Sequence, residues 1–556
     1  MTASERLNVG LVGAVGRGRS FAAGFEANGA RIHAVCDIQA DKLEEAAQRL
    51  GADERYTDYA EMLERSDLDA VVVGTPMPLH VPQAVLALDA GLHVLSEVPA
   101  AVSIDECRQL VAAANRSDGI YMMAENYTYI KTNVLVRELA RQGLFGQVYY
   151  AEGEYLHELR AMGEDTPWRR HWQTGVAGIT YGTHSLGPIL QWMPGDRVGR
   201  VACETSGSHY NDPRGEPYAQ DSATMLCKTL QGALIKIRVD MISDRPHAMM
   251  NYQMQGTDGC YESARGGPGD IDKVWLRQLG EPPAWHDLDT LARDDGPLGN
   301  CLPDIWRDPA EAARKAGHGG GDYFEILDWV NAIQGDVACP IGIHEAMDMT
   351  LPGLVSQQSA AQGGMWLPVP DSRRWVEAPP RPQLQMVWPV SSPAPEPRVP
   401  EGYQLRQMRG TDDEAYLALM HKVGFTDWST ASLAEWRGKV LPAGFFVIEH
   451  EATGKLAATA MVSHSPREGH PFAAEIGWVG GDPAHKGKGL GRAVVAAATA
   501  RALRAGYERI YLLTDDERLP ALKVYLDLGY EPHLCDSGMA VRWQAVRDTL
   551  GIAPSG

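Results

Sequence analysis

The sequence predicts an α/β protein of three successive folding units: a doubly wound parallel sheet, an open-sheet α+β domain, and a smaller α/β module. Three observations predict it. Short apolar runs alternate with helical patterns over the first 125 residues, which is the spacing of a parallel sheet with crossover helices. Longer strands of alternating polarity follow from about Gln147, as in an open, largely antiparallel sheet. Ten prolines between Pro368 and Pro400 then interrupt regular structure before a new pattern opens near Tyr403.

The elements follow in order. Leu7–Val12 reads as a strand, 21–28 as a helix, 32–36 as a second strand and 41–50 as an amphipathic helix. Ala70–Val73 is a fully apolar strand, 82–90 a helix with Pro82 in its first turn, and 93–95 another strand. In the second unit, 148–157, 223–230 and 234–241 read as strands. The predicted boundaries are 1–125, 126–370, a proline-rich linker at 371–402, and 403–545. The competing reading of the linker is a strap docked on the first body through Trp375, Met386 and Trp388.

Composition narrows the class. With 556 residues, more than one core is expected, and 44% apolar with 22% charged residues is ordinary globular material. No apolar run reaches the length of a membrane span, and Met1–Arg6 lead into a strand without a signal-peptide core. Eight cysteines occur without a C-x-x-C pair, which predicts neither a zinc knuckle nor a disulfide framework and suits a reducing, cytoplasmic location. Of the formal charge of −21, residues 401–556 contribute little, with 17 Lys/Arg against 19 Asp/Glu. So acidic a first body disfavours nucleic acid and anionic membrane as partners and points to a small-molecule enzyme.

Three constellations carry chemistry. In the first, Gly13-Ala14-Val15-Gly16-Arg17-Gly18 joins the first strand to the first helix, where backbone N–H groups and a helix start favour a pyrophosphate. Asp37 ends the second strand, 24 residues after Gly13, where a carboxylate meets the adenosine ribose and repels a 2′-phosphate, so NAD is preferred to NADP. Val15 occupies the usual middle glycine position.

Two further segments, Thr75-Pro76-Met77-Pro78-Leu79-His80 and Gly91–Pro99 ending Glu97-Val98-Pro99, resemble the Gfo/Idh/MocA oxidoreductases over about residues 5–370. The resemblance implies a Rossmann domain joined to an open-sheet sugar domain, with Thr75, His80 and Glu97 at the cofactor. Most of that family has Glu-Lys-Pro, whose lysine assists proton transfer; Val98 cannot. Five segments resemble a subgroup, the NAD-dependent α-N-acetylgalactosaminidases: 97–99, 124–126, 152–157, 181–188 and 317–323, the last reading Gly-His-Gly-Gly-Gly-Asp-Tyr.

That resemblance implies transient oxidation at carbon 3 of a sugar, elimination across carbons 2 and 1, addition of water, and re-reduction. Such chemistry needs groups titrating near neutrality. By resemblance Tyr181 and His184 serve the oxidised carbon, Tyr155 is the base at carbon 2, and Glu125, Asn126, His318 and Tyr323 line the sugar. Tyr155 as packing and His184 as a buried structural histidine are the competing readings. His157, Glu158, His171 and His184 lack tight ligand spacing, so no metal is predicted.

The third constellation lies at 474–492. The strand 474–479 leads through Asp482-Pro483 to Lys486-Gly487-Lys488-Gly489-Leu490-Gly491-Arg492 and a helix to about Ala505. This is a second anion-binding turn. With the hairpin 445–449/456–461 and the segment 521–530, it resembles the GNAT acetyltransferases over about Tyr403–Trp543. The resemblance implies acetyl-CoA on Lys486, Gly487, Lys488, Gly489, Gly491 and Arg492, Glu475 as base through water, and Tyr525 as acid. A solvated Glu475 is the competing reading, and Trp428 and Trp436 either shape an acceptor pocket or only pack.

Together these features predict a bifunctional enzyme of carbohydrate metabolism, an NAD-dependent glycosidase/oxidoreductase coupled to N-acetylation of an amino sugar or aminoglycoside-like amine. A homo-oligomer is expected by analogy. The alternatives are a net dehydrogenase producing a 3-keto sugar and a non-catalytic nucleotide or sugar sensor.

Overall fold

The computed structural model describes residues 6–245, 248–293, 295–335, 337–375, 383–389, 391–465, 470, 473–516, 518–534 and 537–552. The chain divides into two compact units. One comprises Met1–Met162, Gly178–Ser206 and Asp221–Ala378; the other comprises Gly163–Ala177, Gly207–Gln220 and Pro379–Gly556.

Six parallel strands open the first unit, in the order Glu54–Tyr56, Ala30–Cys36, Leu7–Val12, Ala70–Val73, His93–Ser96 and Tyr121–Met123. The order reverses between Leu7–Val12 and Ala70–Val73, and open α/β sheets bind ligands beyond the strand ends at such a switch point. Ala70–Val73 is buried throughout, as expected of a strand covered on both faces. The predicted helix at 21–28 is broken into Arg17–Phe21, Ala22–Phe25 and Glu26–Asn28. The helix predicted from Pro82 starts two residues earlier, as His80–Asp89.

A nine-stranded sheet follows, built around Val148–Leu156, which pairs parallel with Leu234–Asp240 and antiparallel with Ala248–Gly256. Ser222–Thr229 alternates buried and half-buried residues along its length, the signature of one packed and one open face. Helices Thr183–Trp192, Gly321–Ile333 and Ile343–Ala361 supply residues to the same core as the parallel sheet.

The second unit carries a seven-stranded sheet ordered Tyr403–Gln407, Val440–His450, Lys455–His464, Ala473–Gly481, Arg509–Thr514, Leu384–Trp388 and Glu531–His533. This corrects the linker expected at 371–402. Leu384–Trp388 is an internal strand, antiparallel to both its neighbours. Its sequence holds no proline and alternates Leu384, Met386 and Trp388 into the core, while Pro382 and Pro389 stand just outside it. Trp375 packs on the core of the first unit, whereas Met386 and Trp388 belong to the second. Residues 376–382 and 390 of that stretch lie outside the described residues.

The second unit also takes in Gly163–Ala177 and Gly207–Gln220. The buried Arg501, on the helix Leu490–Arg504, donates to the Pro442 carbonyl at 2.8 Å and to Glu216 at 2.7 Å. Arg170 stacks on Tyr218 and donates to Asp212 at 3.1 Å. No helix among the described residues is long and apolar enough to cross a membrane.

Candidate active site

The glycine loop is built by close approach of backbones. Gly13 has φ +85°, and a Cβ there would lie 2.5 Å from the Gly74 carbonyl oxygen; one on Gly74 would lie 2.5 Å from the Gly18 Cα. Glycine alone fits where the loop crosses the end of Ala70–Val73. Gly16 is exposed, with nothing nearer than 3.7 Å to a Cβ, so the cradle stays open on its ligand side. Asp37 accepts from the amides of Val15 at 2.9 Å and Gln39 at 3.0 Å, which fixes the loop against the ribose position. These residues fit a dinucleotide without a 2′-phosphate.

Thr75 donates to Gln83 at 2.6 Å. His80 is buried, with Nδ1 2.8 Å from the Pro99 carbonyl and Nε2 2.9 Å from that of Thr75. Burial lowers its pKa against the pull of those two carbonyls. It braces the Thr75 turn and presents no free ring nitrogen to a ligand.

Beyond the loop, Arg17 reaches across to Glu97 at 2.5 Å and to Asp322 at 3.3 and 3.4 Å. Asp322 also accepts from Asn126 at 3.1 Å and lies 2.9 Å from Nδ1 of His318. His318 holds a left-handed φ of 52°, and the buried Oδ1 of Asn126 has no partner among the described residues. Burial alone would raise the Asp322 carboxyl, but the His318 hydrogen bond and the Arg17 charge outweigh it and hold it at about 2.

A group depressed in the folded state stabilises above its unfolded pKa and loses that contribution as pH falls through the folded one. Asp322 therefore adds about 2–3 kcal/mol at neutral pH, lost progressively as pH falls from about 4 through about 2. Asp322→Asn is expected to flatten that part of the acid-unfolding curve, read by thermal melts between pH 5 and 2. One turn along the helix, Glu325 is fully buried, and neither carboxyl oxygen has a partner among the described residues. Burial and the neighbouring Asp322 charge push its pKa well above the usual carboxylate range.

Titratable side chains converge here from three elements. Glu125, at the start of the turn Asn126–Tyr129, accepts from Nδ1 of His184 at 2.6 Å. That bond sets the histidine tautomer, leaving Nε2 to accept from the Tyr181 hydroxyl at 3.3 Å. Tyr127 stacks on the His184 ring at 3.9 Å, and Tyr252 donates to the His184 carbonyl at 2.5 Å. Tyr155, near the end of Val148–Leu156, has its ring 5.5 Å from His184 and 5.6 Å from Tyr181. Its hydroxyl lies 2.9 Å from Nδ1 of His157.

Tyr155, Tyr181, His184 and Glu125 are thus brought together, and so are Asn126 and His318. Tyr323, on the same helix as Asp322, is nearly buried and packs edge-on against Phe324. Sequence reasoning missed Asp322, Tyr127, His157 and Glu325. The Gly-rich motif containing Asp322 pointed to the first, and the two-residue spacing of Tyr155 and His157 on a strand to the third.

The second unit holds its own cradle. Gly487 and Gly489 have left-handed φ of 81° and 77°, and a Cβ on either, or on Gly491, would meet nothing within 4 Å. The helix Leu490–Arg504 starts there, so its first amides face open space with Lys488 and Lys486 alongside. Lys488 lies 5.8 Å from the Tyr403 ring, and Arg492 donates to the Asp527 carbonyl at 2.9 Å. Ala473–Gly481 pairs with Arg509–Thr514 only through Ala473, Ala474 and Glu475, after which the strands part. At that fork Tyr511, another residue the sequence reading missed, donates to Glu475 at 3.0 Å. Tyr525 sits in the core beside Tyr530 at 6.2 Å, and burial raises its phenol.

Comparison with known proteins agrees with this layout. Residues 7–125 match the family model "Oxidoreductase family, NAD-binding Rossmann fold", residues 129–377 match "Glycosyl hydrolase 109, C-terminal domain", and residues 409–530 match "Acetyltransferase (GNAT) family". A glycosyl hydrolase family 109 protein of Shewanella pealeana is 30% identical over 411 residues, spanning 66% of this chain and 86% of its own. An alpha-N-acetylgalactosaminidase of Shewanella oneidensis is 29% identical, spanning 68% and 87%. Among solved structures, levoglucosan dehydrogenase with NADH and L-sorbose superposes with a TM-score of 0.56 at 20% identity, covering 66% of this chain and all of that one. At that identity the likeness concerns the fold.

Proposed function

Because the chain belongs to glycosyl hydrolase family 109 and carries a GNAT module after it, we propose that it cleaves an N-acetylated glycoside through transient oxidation at carbon 3 and acetylates an amino sugar from acetyl-CoA. The observation that carries the first half is the Glu125–His184–Tyr181 chain beside Tyr155–His157, in a site where the buried Val98 replaces a proton-carrying lysine.

Bound NAD would take and return the two electrons of carbon 3, so the cycle has no net redox demand. The chain's residues move the protons. Tyr181, hydrogen-bonded to His184 Nε2, receives the carbon 3 hydroxyl proton and passes it to the imidazole; Glu125 holds the ring and stabilises its charged form. Tyr155, poised by His157, takes the carbon 2 proton once carbon 3 is a ketone. Arg17, Glu97 and Asp322 tie the glycine loop to the sugar side of the site.

In the second unit, Lys486, Lys488 and the Gly487–Gly491 amides would hold the acetyl-CoA pyrophosphate, while Glu475 relieves the attacking amine of its proton. On this reading one chain both cleaves an N-acetylated sugar and forms one. The test is mass spectrometry of the supernatant after heat denaturation, followed by an assay of p-nitrophenyl α-N-acetylgalactosaminide without added NAD. About one NAD(H) per chain with release of p-nitrophenol is expected. An empty supernatant, with sugar-dependent reduction of added NAD and no cleavage, would replace this reading with a net dehydrogenase.

A further inference from the structure

The seven-stranded sheet carries a second basic spot, at the end away from its glycine loop. Leu384, Met386 and Trp388 point into the core together with Ile510 and Leu512. Alternation therefore places Gln385 on the opposite face with Arg509 and Tyr511, and His533 joins them because it pairs with Gln385. Arg509 opens its strand opposite Ala473, whereas the turn Lys486–Arg492 follows the far end of Ala473–Gly481. An extended strand of that length puts roughly 25 Å between the two.

Arg509 is half-buried. Its Nε donates to Nδ1 of the buried His470 at 3.3 Å, and its two terminal nitrogens have no partner among the described residues. Burial lowers its pKa, and no neighbouring carboxylate raises it. In the same unit Arg406, Arg437, Arg501, Arg518 and Arg542 each meet a carboxylate. Of the acids on the Arg509 face, Glu475 is bonded to Tyr511, and Glu531 is exposed and pairs with no cation among the described residues. A guanidinium drawn partly out of water without a counter-charge is costly, and an anionic ligand removes that cost.

The surroundings hold the guanidinium in place. Because Nδ1 of His470 accepts, its Nε2 carries the proton and donates to Gln385 at 2.6 Å. The same ring stacks on Tyr511 at 4.4 Å. His533, half-buried, stands 4.7 Å from it, and neither of the His533 ring nitrogens has a partner among the described residues.

We infer that Arg509 and His533 form a binding site for a phosphoryl group, carried by a phosphate monoester or present as free phosphate. The two terminal nitrogens of Arg509 match two phosphoryl oxygens as a fork, and a His533 N–H takes a third. A carboxylate has only two oxygens and would leave the histidine unused. Such a ligand links the strands Arg509–Thr514 and Glu531–His533 across Leu384–Trp388, so its binding stabilises the sheet.

The test is calorimetric titration of the full-length protein saturated with NAD and acetyl-CoA, so that neither glycine loop competes for the probe. Inorganic phosphate and glucose 6-phosphate are the probes, with glucose and sodium chloride as controls. About one phosphate per chain is expected, weakened about tenfold or more by Arg509→Gln with acetyl-CoA affinity unchanged. Equal affinity for the two probes supports free phosphate as the ligand, and tighter binding of glucose 6-phosphate supports a monoester. Should Arg509→Gln fail to fold, His533→Ala is expected to weaken both probes in the same sense. No binding of either probe up to about 10 mM, binding matched by the controls, or a folded variant that binds phosphate as the wild type does, overturns the site.

Discussion

His184→Ala is expected to lower glycoside cleavage by about 10²–10⁴-fold, the usual worth of a positioned general acid–base group, with NAD still bound. The imidazole is the middle of a chain: Glu125 holds Nδ1 at 2.6 Å, and Nε2 faces the Tyr181 hydroxyl at 3.3 Å. Alanine removes the imidazole that the Tyr181 phenol adjoins and leaves Glu125 buried without its ring partner. None of the glycine-loop contacts of Asp37 or Gly13 is touched, so cofactor retention is the internal control. The measurement pairs p-nitrophenol release with NAD(H) by mass spectrometry on the same preparation. A variant that cleaves normally would remove His184 from the reaction. One that has lost NAD as well would show a structural role, since the loss would then lie in the fold rather than in proton transfer.

The second large effect concerns the loop. Gly13→Ala is expected to release the cofactor and destabilise the first unit, whereas Gly16→Ala, three residues along, should leave the fold intact. At Gly13 the new methyl would stand 2.5 Å from one backbone oxygen and 3.0 Å from the Thr75 nitrogen. A left-handed φ adds about 1–2 kcal/mol. The obstructing atoms belong to the end of a buried strand and cannot step aside. At Gly16 the nearest atom is 3.7 Å away and φ is −93° with ψ −131°, so the methyl meets no neighbour and its cost is confined to the local backbone. Melting temperature and NAD content, measured together, separate the two: both fall for Gly13→Ala, and the melting temperature falls much less for Gly16→Ala. Equal melting temperatures for the two variants would refute the account of the loop.

Much of this architecture could be read before any coordinates, and the reasons are local. The parallel sheet announces itself because Ala70–Val73 and Leu7–Val12 are short, apolar and separated by helix-period segments. Tyr181 and His184 lie three residues apart where one helix begins, so a single motif carries both. What escaped was long-range or masked by composition. Arg17 meets Asp322 across 305 positions, and no spacing rule joins a glycine loop to a distant helix. Tyr511 reaches Glu475 only because two parallel strands run side by side for three residues. Leu384–Trp388 was hidden by the prolines on its flanks, although its own five residues alternate cleanly.

The composition of the second unit bears on how such a protein could arise or be taken apart. Because Gly163–Ala177 and Gly207–Gln220 lie within it, cutting between residues 378 and 379 does not liberate the whole acetyltransferase. Glu216 would stay with the other fragment, and the buried Arg501 would lose its only carboxylate partner among the described residues. A gene segment encoding 379–556 is therefore an incomplete inheritance. Shuffling that module to a new host demands that the host supply a substitute anion, or that Arg501 be replaced. The two units, largely sequential on the chain, exchange the segments Gly163–Ala177 and Gly207–Gln220, and end-to-end fusion alone does not account for that.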